Sequence, residues 1–244
     1  MSALPESTVA AKTPGGSNMI TKVFIVPYFG DYPEWMPHWE RNTERMRGLG
    51  YDFLFDTDEA AFQDRVRDKL GIECPPMTGT GRIWNFRPAL GVLYEDEIKD
   101  FQWWGFTDFD MVYGRVENWY TDDELEAVDI HSCHDDYISG PWTLMRNTPV
   151  VANLFRRTDE WKGRMEGDDY AHGWAEKGYT AIVDQAHDEG VIVRKYAKWQ
   201  TRSQDDFSTC VLHKDGRLTE GGEERCLLHF RRVKQYPSGC VLTP

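Results

Sequence analysis

Apolar and polar positions along this chain fall into two kinds of segment. Short apolar runs rich in β-branched and aromatic residues predict buried strands, and longer mixed stretches closed by glycine predict helices. Met19 to Pro27 (MITKVFIVP) is the first such strand. A helix is expected from near Pro33, capped by Asp31, to about Arg47, where Gly48 and Gly50 stop it. Tyr51 to Phe55 is a second strand, and Glu59 to Leu70 a second helix ended by Gly71. This alternation with short connections predicts an α/β layer with a largely parallel sheet. Ligands of such sheets gather at the carboxyl ends of the strands, where the loop Tyr28–Asp31 and the run Asp56-Thr57-Asp58 fall.

Further along, Glu73 to Gly81 reads as a loop, and Arg82 to Arg87 leads into a helix with Pro88 near its start and Ile98 near its end. Phe101 to Gly114 (FQWWGFTDFDMVYG) begins as a buried aromatic strand and reaches two carboxylates, Asp108 and Asp110. Residues two apart on a strand share a face, so both acids point to one site while Phe109 turns into packing. Two like charges held together are costly without a cation between them, and oxygen donors suit a divalent metal. The competing reading is two solvated acids in a turn. Val116 to Ala127 is a short helical connection whose acidic run DDELE forms a solvated face. Val128–Ser132 and Tyr137–Met145 are further strands, and Thr148–Phe155 a helix. Asp168 and Asp169 precede a helix ending at Gly178. Thr180–Val183 and Val191–Tyr196 are short strands, Asp215-Gly216 turns a hairpin within Cys210–Leu218, and Cys226–Phe230 is a last strand carrying His229.

Composition narrows the function classes. The 244 residues carry a net charge of -13, which disfavours a broad basic surface for nucleic acid. Ten Trp, eleven Tyr and twelve Phe supply a core, with some left over for stacking on sugars or bases. The five Cys are odd in number and widely spaced, with no C-x-x-C, so neither a disulfide framework nor a zinc site is expected. Reduced thiols and the lack of a signal peptide or membrane-length apolar run point to the cytoplasm. Residues 1–18, rich in Ser, Thr, Ala, Pro and Gly, read as a disordered tail, and no composition change divides residues 19–244.

The ordered segments KVFIVPYFGDYPEW, YDFLFDTD, NFRPALGVLYEDEI, FQWWGFTDFDMVYG, YISGPWTLMRNT and LLHF resemble a bacterial group of GT-A glycosyltransferase-like proteins linked to surface polysaccharide synthesis. The likeness spans roughly residues 22 to 231. It implies a single α/β GT-A-like domain over 19–244, with a Rossmann-like nucleotide-binding half and a mixed central sheet flanked by helices. The family D-x-D falls on Asp108 and Asp110, implying Mn2+ or Mg2+ bridging the diphosphate of a nucleotide-sugar, with His229 as third ligand. Pro27 and Tyr28 would line the nucleotide, with Tyr28 stacking on the base. Asp56 or Asp58 would accept hydrogen bonds from base or ribose, although Asp58 reads equally as a helix cap. Arg87 would pair with phosphate through its planar fork, with Arg146 a weaker candidate. Asp169, and next Asp168, would remove the acceptor's proton if the reaction inverts, or else cap a helix. Gly140 would let a ligand approach closely, and Trp142 would offer a stacking wall.

The implied reaction is transfer from a nucleotide-sugar donor, UDP-sugar first, to a hydroxyl acceptor such as a glycan or polysaccharide. Alternatives are a hydroxymethylated base in phage DNA, disfavoured by the acidic charge, and a sugar-nucleotide or glycan-binding module without turnover. A two-metal phosphohydrolase would need a denser ligand set. His131, His134, Asp135 and Asp136 offer the one candidate segment for it.

Overall fold

The computed structural model describes residues 20–77, 82–167, 173–197, 201–203 and 209–230. The expected tail and the pair Asp168 and Asp169 lie outside the described residues.

The chain opens as read, with β1 (Lys22–Pro27), α1 (Met36–Arg47), β2 (Tyr51–Asp56) and α2 (Glu59–Leu70). Asp58 caps α2 by accepting from the Ala61 N–H at 3.0 Å, and Gly71 closes it at φ 65°. The start of α1 differs from expectation. Its N-cap is Trp35, with no side-chain cap, and Asp31 remains in the preceding loop. Pro37 rather than Pro33 sits in its first turn, where a missing N–H costs nothing.

The stretch after residue 82 is broken rather than one helix. A 3-10 segment (Ile83–Ala89) is followed by two single turns, α3 (Leu90–Leu93) and α4 (Glu95–Ile98). Pro88, inside the 3-10 segment, lacks the N–H an α-helix would use there. Next come β3 (Trp103–Thr107), β4 (Met111–Tyr113), α5 (Asp122–Glu126), β5 (Ile130–Ser132) and β6 (Trp142–Arg146). They are followed by α6 (Pro149–Ala152), α7 (Trp161–Glu166) and α8 (Tyr179–Asp188), which a π-helical turn (Gly173–Gly178) precedes. The strand expected at Thr180–Val183 is part of α8. Its buried positions Tyr179, Ile182, Val183 and Ala186 recur at helical spacing, and this longer period outweighs the local β-branched run. β7 (Arg194–Tyr196), β8 (Thr201–Ser203), β9 (Cys210–Leu212), β10 (Leu218–Glu220), β11 (Glu223–Arg225) and β12 (Leu227–His229) complete the described chain.

The main sheet has six strands in the order β2-β1-β3-β6-β5-β7. It is parallel across β2, β1 and β3, antiparallel on both sides of β6, and parallel again between β5 and β7. Both of its faces are covered. Val23, Ile25, Trp104 and Phe106 pack against α2 and α8, while Phe24, Val26, Trp103 and Leu144 pack against α1. Burial on two faces is why these strands are continuously apolar instead of alternating. Two small three-stranded sheets, β4-β12-β8 and β11-β10-β9, sit beyond the end of β3. The fold of the described residues is therefore mixed α/β, with a six-stranded central mixed sheet flanked by helices, as expected.

Candidate functional site

β3 ends at Thr107, one residue before the acid pair, so Asp108 and Asp110 lie on a bend into β4 and not on an extended strand. They converge all the same, because β4 turns out of the main sheet and pairs with the last strand. β12 runs antiparallel to β4 with His229 opposite Met111, and the Phe230 N–H donates to the Asp110 carbonyl at 3.0 Å. This register sets the His229 Nε2 3.1 Å from Asp110 Oδ1 and 3.5 Å from Asp108 Oδ2. One donor atom from each of the three residues lies within 4.8 Å of the others. The imidazole is buried and both carboxylates are partly open. Two oxygens and one nitrogen of this kind fit a divalent cation of the manganese or magnesium type, with further positions left for water or phosphate oxygens.

Several contacts hold the bend. The Thr107 hydroxyl donates to the Pro141 carbonyl at 2.8 Å and sits 3.1 Å from the Tyr113 hydroxyl. Trp39 Nε1 donates to that same hydroxyl at 3.2 Å. Asn42 of α1 brackets the Tyr113 backbone, donating to its carbonyl at 3.0 Å and accepting from its N–H at 2.7 Å. Burial raises the Tyr113 phenol pKa, with Asp108 and Asp110 adding to the rise against its two hydrogen bonds. Phe109 turns the other way, as expected. Its ring lies 4.9 Å from both Tyr28 and Trp39 and 5.7 Å from Phe55.

The guanidinium of Arg87 reaches the site from the 3-10 segment and pairs with Asp108 Oδ1. It therefore meets a carboxylate here, in the place where the sequence suggested a phosphate. Tyr28 follows Pro27 at the end of β1, stacked at 6.0 Å on the exposed ring of Tyr32, and its hydroxyl donates to the Asp31 carbonyl at 2.8 Å. Asp56, paired in register with Pro27, accepts from the Tyr94 hydroxyl at 2.6 Å. Burial, and then Asp56, push the Tyr94 pKa far up, so the phenol stays a donor. Asp58 is used as the α2 cap. Tyr94 was missed in the sequence because its role depends on a break between two single helical turns.

Three expectations are corrected. Trp142 offers no wall, being 0% exposed and packed at 4.2 Å from Phe24 and 5.3 Å from Tyr120. It opens β6 opposite Thr107, the last residue of β3, and its indole is turned into the core. The space beside Gly140 is taken by protein, since an added Cβ would stand 2.1 Å from Arg87 Nη1 and 3.1 Å from Glu176 Oε1. Arg146 sits at the opposite end of β3, in register with Trp103, and is spent on Asp129 at 3.0 Å and on the carbonyls of Leu125, Glu126 and Val128. Glu176 accepts from the Gly140 N–H at 2.9 Å, a contact with no local sequence signal.

The histidine pair His131 and His134 does not form one site. His131 is fully buried on β5, its ring 4.7 Å from Tyr120, and burial lowers its pKa to about 4. His134 instead meets Asp135 at 2.8 Å and Asp136 at 2.7 Å on the surface, a second group of possible donors made largely of exposed acids. The four described cysteines, Cys74, Cys133, Cys210 and Cys226, are free thiols. Among the described residues no helix is long and apolar enough to cross a membrane.

The arrangement of elements is shared with the crystal structure of a glycosyltransferase involved in the glycosylation of the major capsid of PBCV-1. That likeness has a TM-score of 0.51 at 10% sequence identity and covers 87% of this chain and 93% of the other. No curated protein matches the sequence significantly. Residues 24–220, most of both the central sheet and the site, match the family described as a family of unknown function (DUF6625), and the chain belongs to that family.

Proposed function

We propose that this chain is a divalent-cation-dependent glycosyltransferase. It moves a sugar from a nucleoside diphosphate sugar, UDP-sugar first, to a hydroxyl of a glycan or polysaccharide. One observation carries this reading: Asp108, Asp110 and His229 converge at the carboxyl edge of the sheet, in a fold shared with a glycosyltransferase. Bound Mn2+ or Mg2+ supplies positive charge to the diphosphate leaving group as the glycosidic bond breaks.

The chain's own residues do the rest. Asp108 and Asp110 present carboxylate oxygens from the bend after β3, and His229 presents Nε2 from β12. Tyr28 offers a ring face to the base beside Asp56, whose orientation Tyr94 fixes. Asp58 is the weaker partner for ribose or base because its carboxylate already holds the α2 N-terminus. Arg87 is close enough to the acid pair to meet a diphosphate bound there. If the reaction inverts, Asp169, or else Asp168, accepts the proton of the attacking hydroxyl.

The test is thermal unfolding with UDP-, GDP- and other nucleotide-sugars, with and without Mn2+. A donor at a hundred times its Kd stabilises the fold by about 2.7 kcal/mol, a rise in Tm of roughly 5–10 °C for a chain of this size. Asp110→Asn abolishes the Mn2+-dependent part of that rise. Absence of any nucleotide effect, or an unchanged Mn2+ dependence in Asp110→Asn, refutes the proposal.

A further inference from the structure

Arg87 is placed in a way that simple phosphate recognition does not require. Its side chain is 11% exposed, and its guanidinium lies 5.5 Å from the Phe106 ring centre and 5.6 Å from that of Trp84. A guanidinium does not lose its proton in a protein, so in this pocket it needs an anion beside it at all times. Asp108, one of the three candidate metal donors, is that anion. The same carboxylate thus serves two cations, one belonging to the chain and one arriving from solution.

The surroundings are shaped for this guanidinium. Gly140 leaves open the one Cβ-sized space that Arg87 Nη1 fills, and the Glu176 carboxylate borders the same space, held by the Gly140 N–H at 2.9 Å. A second anion is therefore within the notch, outside the metal donor set.

Building on the cation-dependent transfer reading above, we propose that Arg87 is a built-in counter-cation that couples metal binding to diphosphate binding. Without ligands it neutralises Asp108, so a divalent ion entering alone must compete with it and binds weakly. When the diphosphate arrives with the ion, its oxygens give the guanidinium a new anion. Asp108 is then released to the metal, with Glu176 helping to hold the displaced side chain. Each ligand consequently tightens the other by the same factor, as linkage demands. The site avoids sequestering free metal and closes its coordination only around a complete donor.

Calorimetric titration of Mn2+, with and without saturating UDP or GDP, tests this on the wild type, Arg87→Gln and Gly140→Ala. In the wild type the nucleotide tightens Mn2+ binding, by a factor in the usual coupling range of about 5–150. Arg87→Gln binds Mn2+ alone about tenfold more tightly or better, and most of the coupling factor disappears. Gly140→Ala, which pushes the guanidinium out of its notch without deleting it, moves both quantities the same way by a smaller amount. It also guards against a folding defect in the charge-deleted variant. Unchanged or weaker Mn2+ binding to Arg87→Gln, with the wild type still binding Mn2+ and nucleotide together, overturns the counter-cation role and leaves the transferase reading standing. Failure of the wild type to bind Mn2+ under either condition overturns both.

Discussion

Gly114, at the end of β4, is where the strand passes beneath the chain entering β12. A Cβ placed there would stand 2.4 Å from the Arg225 carbonyl oxygen and 2.9 Å from that of Cys226. The Gly114 N–H donates to the Cys226 carbonyl at 2.8 Å. Both of these obstacles are backbone, and the third, Leu218 Cβ at 2.9 Å, is fixed to its own backbone, so none can swing aside. Opening the closer contact from 2.4 Å to the ordinary 3.4 Å requires 1.0 Å between the strands. Backbone shifts of this sort cost about 1–3 kcal/mol, and the stretched hydrogen bond adds about 1 kcal/mol. Gly114→Ala should therefore lose about 2–4 kcal/mol in urea unfolding.

The same displacement reaches the site, because His229 is three residues beyond Cys226 on the strand being pushed. Metal–ligand distances tolerate only about 0.2 Å. With UDP present, Mn2+ affinity should fall about 10–100-fold, the range seen when a ligand's support is removed. Gly163→Ala, with nothing within 4 Å of the added Cβ, is the control and should bind like the wild type. Wild-type Mn2+ affinity in a destabilised Gly114→Ala would show that the β4–β12 register does not place His229. Undiminished stability would refute the steric reasoning itself.

Two further outcomes follow from other parts of the fold. Burial, with Lys195 nearby, holds the His131 pKa at about 4 against the usual 6.5, although Glu124 and Ser132 pull the other way. The unfolded chain therefore binds a proton that the folded chain refuses. Stability from this group is complete above about pH 6.5 and is lost as pH falls from there towards 4. Each tenfold change in proton affinity is worth about 1.4 kcal/mol, so the loss is on the order of 3 kcal/mol. His131→Phe should flatten this part of the stability–pH curve measured by urea unfolding, and an unchanged slope would assign the acid sensitivity elsewhere. Arg146→Met should cost about 2–3 kcal/mol, because Asp129 and three carbonyls lose their donor. Nucleotide-dependent stabilisation should survive that change, and its loss would place Arg146 near the ligand after all.

How much was legible in the sequence depended on how local the cause was. The expected β2 and α2 match to within a residue, and β1 ends at Pro27 as expected though it starts three residues later, because apolar runs, the Asp58 cap and Gly71 act within a few positions. The convergence of Asp108 and Asp110 was expected, yet for a different reason. A strand would align them by its pleat, whereas here a bend does so after β3 has ended at Thr107. The misreading of 180–183 came from four β-branched or small residues whose helical period shows only over ten. Trp142 looked like a stacking surface because its sequence neighbours Ser139, Gly140 and Pro141 are turn formers. Its burial is decided by Phe24, Tyr51 and Tyr113, contributed by other strands. The pairing of Arg87 with Asp108 and the notch at Gly140 depend on three separate segments meeting, and no single stretch records them.

The distance in sequence between the two halves of the triad has a consequence for the making of the protein. Asp110 and His229 are 119 residues apart. Domains begin to fold as the chain emerges in order from its N-terminus. The central sheet has all its strands once Tyr196 is out, but β4 has no partner on its β12 side until Leu227–His229 appears. A nascent or prematurely ended chain can therefore hold a folded sheet with the carboxylate pair and still lack the third donor. Synthesis as far as β12, and not only folding of the sheet, is what brings the three candidate donors together.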